Sequence, residues 1–298
     1  MITALTLAWT LGPPVTALTI AALARFVALR SVPALGPRLT AATATTGTAL
    51  FLAQVGIAVL GVAGALALSS PEAERVRAIA PLVMGTLGVM GLSIPAERRP
   101  RARAATIARR TVSVFLSRGW PLAITGIGAL ILVLSLAAGS VSRPDAEGRS
   151  VEFALPIGPG GEARTTIYGW YFSVPALILA GLLLVVTAIA WHGLTRFPWG
   201  EDLALDTAVR RTRAANIGRV TTGALLIHLS FITRSLAGTA SISGRFESGP
   251  WIVPSFAAME PALSVASMIA LIGGLALWAV VAFTAIPGRG LRTRDPAK

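Results

Sequence analysis

His228 is the ionisable side chain set deepest in an apolar stretch, and Thr221 and Ser235 fall on its helical face seven residues to either side. Gln54 sits at a comparable depth in another apolar run, with Thr46 and Thr48 nearer one end. Such groups are costly in hydrocarbon. They mark either an internal polar cavity that contacts a solute or relays a proton, or an interhelical hydrogen bond worth roughly a kcal/mol or less. A second pair, Arg234 and Glu260, is expected at the outer membrane boundary, where an arginine can snorkel and an ion pair or gate can form.

Other chemistry is limited by the residues themselves. The chain has no cysteine, which removes disulfides, thiolate metal sites and thiol catalysis. The last apolar run holds no lysine for a retinal Schiff base. Two histidines, His192 and His228, lie at different depths and make a poor haem pair. There is no phosphate-binding glycine loop with lysine. No carboxylate pair lies inside an apolar run, which argues against strongly cation-coupled pumping. The expectation is therefore no catalytic residue, no metal and no cofactor.

The elements that must carry these side chains follow from composition. Of 298 residues, 54% are hydrophobic and only 13% charged, too little charge for a soluble domain of this size. Several apolar runs reach the roughly 20 residues that cross a bilayer as a helix. Seven spans are expected: Thr3–Leu29, Thr46–Leu68, Ala78–Ile94, Trp120–Ala138, Trp170–His192, Ile217–Ala237 and Ala262–Ile286. The fold class is an all-α membrane protein, with one polytopic domain over 1–298. No basic region precedes the first apolar run, so a cleaved signal peptide is not expected.

A net charge of +13 reads as the positive-inside signal rather than as affinity for nucleic acid, because the arginines sit in short loops between apolar runs. With the N-terminus outside and the C-terminus cytoplasmic, only Arg75, Arg77, Arg143, Arg149, Arg164, Arg234 and Arg245 of the 26 basic residues lie outside. The densest inside marker is the run from Pro95 to Arg118. There Arg98, Arg99, Arg101, Arg103, Arg109 and Arg110 are expected to contact anionic headgroups. Ala105, Ala108, Val112 and Phe115, at helical spacing, would lie on the bilayer. The same run also reads as a topogenic loop and nothing more. Arginine-, alanine- and glycine-heavy usage suggests a bacterial plasma membrane.

Outside the spans, Val151–Leu155 alternates apolar and polar residues, Gly158-Pro159-Gly160-Gly161 signals a turn, and Thr165–Tyr168 returns as a strand. This predicts an external hairpin within 140–168. Ser241–Val253 makes a second external cap. Before span six, Asp206 and Arg210 are spaced for an i,i+4 ion pair on an exposed helix. The stretch from Glu201-Asp202 through Arg210-Arg211 to Arg219 resembles one in uncharacterised multi-pass membrane proteins of actinobacteria, some encoded beside GntR-type regulators. The resemblance covers about twenty residues and implies no known activity.

The first three spans and the last three share landmarks. Trp9 and Pro14 echo Trp170 and Pro175, and Thr45-Thr46-Gly47 echoes Thr221-Thr222-Gly223. Pro81 echoes Pro261, and Ile94-Pro95 echoes Ile286-Pro287. This suggests a 3+1+3 arrangement of parallel repeats, 1–95 and 170–287, around a linker span 120–138, a symmetry on which some transporters are built. Gly12-Pro13-Pro14 should kink or interrupt span one, and Gly273-Gly274 should interrupt span seven. Two functional readings follow. One is a facilitator or permease component for a small solute, using the level of His228 and Gln54. The other is a non-transporting accessory or sensory subunit that binds a cytoplasmic partner or anionic lipid, alone or as a homo-oligomer.

Overall fold

The seven apolar segments fold into seven helices long enough to cross a bilayer: α1 (Ile2–Val27), α2 (Pro37–Ala65), α3 (Pro71–Leu92), α4 (Gly119–Val141), α5 (Trp170–Gly193), α6 (Leu203–Ala240) and α7 (Glu260–Phe283). The computed structural model describes residues 2–27, 32–65, 70–93, 114–158, 161–195, 203–245 and 251–286. The chain is a multi-pass all-α membrane protein with one small sheet. Successive helices alternate direction, so the bundle has two ends. One carries the sheet, and the other gathers Arg25, Arg38 and Arg210, Arg211, Arg213 and Arg219 of α6. They are called the hairpin end and the basic end.

Helix α6 is the axis of the bundle. In its apolar 18-residue stretch 72% of the residues are buried, against 22% for the corresponding stretches of α1 and α2. It packs on α3, α4, α5 and α7, whereas α1 leans mainly on α7 and α2 on α7 and α3. Small residues set these approaches. A Cβ added at Gly85 would stand 2.5 Å from the methyl of Ala224, and one at Gly88 would stand 2.8 Å from Leu50. A Cβ at Gly274 would fall 2.6 Å from Ile227 on α6. Lipid offers no hydrophobic drive for helix association, so such backbone approach is what holds the bundle together.

Several helices run past the expected limits. α2 starts at Pro37, α3 at Pro71 and α6 at Leu203, each well before its apolar core. α3 can start early because Ser70 caps it, its hydroxyl accepting from the Ala73 N–H at 3.2 Å, with Pro71 in the first turn. α6, at 38 residues and about 1.5 Å per residue, is nearly twice as long as the hydrocarbon layer is thick. Neither α1 at Pro13-Pro14 nor α7 at Gly273-Gly274 is interrupted. Gly274 instead admits α6.

At the hairpin end the expected hairpin forms, but its return strand runs over Gly161–Thr166 and not Thr165–Tyr168, and a third short strand is added. β2 (Ser150–Gly158) and β3 (Gly161–Thr166) pair antiparallel, with Phe153 opposite Thr165 and Leu155 opposite Ala163. A two-residue strand, β1 (Arg143–Pro144), lies on the other side of β2. The second cap leans on this sheet: Gly244 bridges Ile252, and Phe256 meets the ring of Phe153 edge-on at 5.9 Å. Arg149 is the fastener. Its guanidinium reaches Asp145 at 2.7 Å, Glu147 at 2.7 Å and Glu72 in the first turn of α3 at 2.5 Å.

Candidate functional site

The predicted polar level at mid-bundle is three separate arrangements. His228 has no exposed surface. Its Nδ1 lies 2.8 Å from the carbonyl oxygen of Ala78 on α3, and its Nε2 lies 3.1 Å from the hydroxyl of Tyr168. A carbonyl can only accept, so Nδ1 donates, and in the neutral ring Nε2 accepts the tyrosine proton. Both ring nitrogens are thereby satisfied by protein. Tyr168 is wedged between the rings of Phe172 and Phe231, and burial pushes its phenol up, against a smaller opposing effect of the nearby Ser135 hydroxyl. The phenol therefore stays a donor.

Thr221 faces α5 and shares a 2.7 Å hydrogen bond with Thr187. Gln54 is buried on α2, its Oε1 meeting no donor among the described residues. Helices α2 and α6 make no extended contact, because α3 and α7 stand between them. Ser235 is half-buried nearer the hairpin end. These side chains do not converge on one cavity.

The expected Arg234–Glu260 pair is not formed among the described residues. Ile227 meets Gly274, and Ser267 donates to the carbonyl of Ser230, a register that sets Glu260 about a turn farther out than Arg234. Its carboxylate instead accepts from Ser264 at 2.9 Å. Arg98, Arg99, Arg101, Arg103, Arg109 and Arg110 lie outside the described residues. Phe115, expected on the bilayer, is buried in the protein beneath the guanidinium of Arg210 at 5.4 Å.

The basic end holds the more elaborate chemistry. Asp206 and Arg210 do pair, Nε to Oδ2 at 3.0 Å, but the pair is buried and not exposed. Leu194 and Phe115, distant in sequence, cover it. Arg210 also donates through Nη1 to the carbonyl of Leu194, where α5 ends. Arg213 donates to the carbonyl of Leu92, the last residue of α3, at 3.0 Å. Arg25 donates to the carbonyl of Ile286, just beyond α7, at 2.8 Å. Helices α1, α3, α5 and α7 all finish at this end, bringing their unsatisfied carbonyls and negative dipole ends together. Arginines meet three of those endings.

The other two arginines at this end of α6 have a different setting. Arg219 donates to Asn216 Oδ1 at 2.5 Å and lies over the Trp120 ring at 5.8 Å; Asn216 in turn donates to the Thr284 hydroxyl at 2.7 Å. Arg211 makes one long contact, 3.4 Å from Nε to the carbonyl of Val114. Among the described residues neither guanidinium meets a carboxylate. Both line a cleft of about 550 Å³ bounded by Val32 and Pro33 before α2, by Thr212 and three alanines of α6, and by Thr284 at the end of α7.

Sequence reasoning missed Tyr168, Arg213 and Asn216. Two signals were present. The chain has two tyrosines, one immediately before span five, and its lone asparagine sits among the arginines of α6. Their partners lie 60 or more residues away and carry no local signature. The described residues hold no cluster of metal-ligating side chains. No protein-family model, no curated protein and no solved structure matches the chain.

Proposed function

We propose that the protein is a non-transporting accessory or sensory subunit of a bacterial plasma membrane, with its N-terminus outside and its basic end in the cytoplasm. That end docks an anionic partner, either an acidic protein surface or lipid headgroups. The observation that carries the reading is the division of labour among the arginines of α6. Arg210 and Arg213 are spent on helix ends inside the protein, whereas Arg211 and Arg219 line a cleft that holds no carboxylate among the described residues. A solute path through the bundle has less support, because His228 is saturated by Tyr168 and Ala78 and does not meet Gln54. The concentration of arginine at the α6 end supports the orientation through the positive-inside rule.

Osmotic swelling of proteoliposomes separates the two classes. Vesicles holding the protein should swell no faster than protein-free vesicles in isotonic polyols, sugars or amino acids. Swelling that His228→Phe abolishes would overturn the reading and restore a small-solute facilitator. In gently solubilised source membranes the protein should migrate as a larger complex that Arg211→Glu dissolves.

A further inference from the structure

We propose that the cleft between α6, the segment before α2 and the end of α7 binds a phosphate ester of a small polyol. Its volume of about 550 Å³ lies within the range of small-molecule sites. Arg211 and Arg219 enter it, and among the described residues no carboxylate lines it. A guanidinium carries five N–H donors in a planar fork suited to phosphate oxygens. The contacts with Val114 and Asn216 leave most of each fork for a ligand. Along the helix the two arginines are eight residues apart, about 12 Å of rise, and both long side chains reach the same cleft.

The hydroxyls narrow the class further. Thr212 donates to the carbonyl of Ala208 at 3.0 Å, and Thr284 donates to that of Val281 at 2.7 Å. Both protons are committed, and the Thr284 oxygen also accepts from Asn216, so the half-buried Thr212 oxygen is the one with both lone pairs left for the cleft. It suits a ligand hydroxyl and not a phosphate oxygen. Val32, Pro33 and the alanines supply an apolar wall. Phosphate at the arginines, a hydroxyl at Thr212 and carbon against the wall describe a phosphoglycerol-like group. A lipid headgroup and a soluble polyol phosphate both present it. The site lies where α1 and α7 end, at the level of a membrane surface.

The test uses the full chain in a neutral maltoside detergent, following its thermal unfolding during titration. The probes are phosphatidylglycerol, phosphatidylcholine, sn-glycerol 3-phosphate and inorganic phosphate. Phosphatidylglycerol or glycerol 3-phosphate should raise the unfolding temperature, and phosphatidylcholine should not. A response to the lipid alone identifies a headgroup site, and a response to glycerol 3-phosphate identifies a soluble ligand. Arg211→Gln should weaken binding about tenfold, the loss of roughly one charge-assisted hydrogen bond. Arg143→Gln, an equal loss of charge at the hairpin end, should leave it unchanged. Thr212→Val should weaken binding of the polyol esters but not of inorganic phosphate. Arg219 also braces Asn216 and Trp120, so Arg211→Gln is the deciding variant. No response to any phosphate probe, or equal losses in Arg211→Gln and Arg143→Gln, would overturn the proposal. The inference rests on the basic end being the working end of a non-transporting protein. Failed phosphate binding in an impermeable protein sinks the cleft alone, and solute flux with binding intact sinks that reading alone.

Discussion

The Nδ1 nitrogen of His228 lies 2.8 Å from the carbonyl oxygen of Ala78, joining α6 to α3 across 150 residues of sequence. Pro81 stands three residues further along α3. A proline lacks the N–H that continues the helical ladder, and its ring displaces the preceding turn. Carbonyls in that turn are thereby opened to partners outside the helix. The histidine takes one of them and passes its other nitrogen to Tyr168, so three chain segments meet at one imidazole.

His228→Leu should therefore lower stability by about 1–3 kcal/mol, the cost of leaving buried polar groups unpaired. Tyr168→Phe should cost less, because it removes one donor and strands only Nε2. In a double-mutant cycle read by thermal unfolding in detergent, the two changes should couple by about 0.5–1.5 kcal/mol. Strict additivity would show that the Tyr168–His228 bond contributes nothing.

Gly223 faces the indole of Trp278, whose Nε1 donates to the carbonyl of Val220 at 3.0 Å. A Cβ at Gly223 would fall 2.6 Å from that ring and 3.0 Å from the carbonyl oxygen of Gly274. Both obstacles are fixed. Gly223→Val should destabilise by at least the roughly 1–3 kcal/mol typical of overpacking, and should loosen α7 from α6. Gly12→Val, at a glycine with open space around it, is the matched control. Indole fluorescence and unfolding temperature should change in the first variant and not through packing in the second.

Hydropathy made the seven spans legible because lipid demands an apolar run of fixed length. It could not mark the helical extensions at Pro37, Pro71 and Leu203, which lie beyond the apolar cores and are held by caps and by tertiary contacts. The hairpin was readable from alternation and a glycine-rich turn, both local properties. Asp206 and Arg210 show the limit most clearly. Their i,i+4 spacing foretold the ion pair, yet its burial depends on Phe115 and Leu194, brought in by other helices. For the same reason no spacing could reveal that Arg213 would end on Leu92, or that Arg211 and Arg219 would share a cleft with Val32 and Thr284.

The Arg149 fastener should respond to acid. Desolvation pushes the Asp145 carboxyl up, but the hydrogen bonds from the Arg149 backbone N–H and guanidinium outweigh it and hold the group below its ordinary value of 3.8. A carboxylate whose folded pKa is depressed contributes stability that is fully present above the unfolded pKa and is lost as pH falls through the folded one. Amide protection factors in β1–β2, which are corrected for the intrinsic pH dependence of exchange, should therefore be high at pH 7 and fall below about pH 4. Asp145→Asn should show the lower protection already at pH 7, with no further fall below about pH 4.

Orientation can be read directly, since the chain has no cysteine to remove. Ala146→Cys in the turn between β1 and β2 should react with an impermeant maleimide added outside intact cells. Ala285→Cys, beyond α7 at the basic end, should react only after the membrane is opened. The reverse pattern would place the basic end outside and remove the positive-inside support for a cytoplasmic partner.

The buried Asp206–Arg210 pair makes the sharpest energetic prediction. Burying two charges costs much of what their attraction returns, so the pair as a whole adds little to stability, whereas removing one partner takes an opposite charge away from a group that stays buried. Asp206→Asn, which takes the carboxylate from the buried Arg210 guanidinium, should destabilise by about 3–5 kcal/mol. Arg210→Met should do likewise by taking the guanidinium from buried Asp206, and it also uncaps the Leu194 carbonyl at the end of α5. Replacing both, as Asp206→Leu with Arg210→Met, should recover a large part of the loss, because an apolar pair can pack against Phe115 and neither charge of the pair is left buried. Unfolding temperatures of the three variants decide the matter. Recovery in the double variant identifies the pair as a specificity device for docking α6 against α5, and losses that simply add identify the Leu194 cap as the dominant contribution.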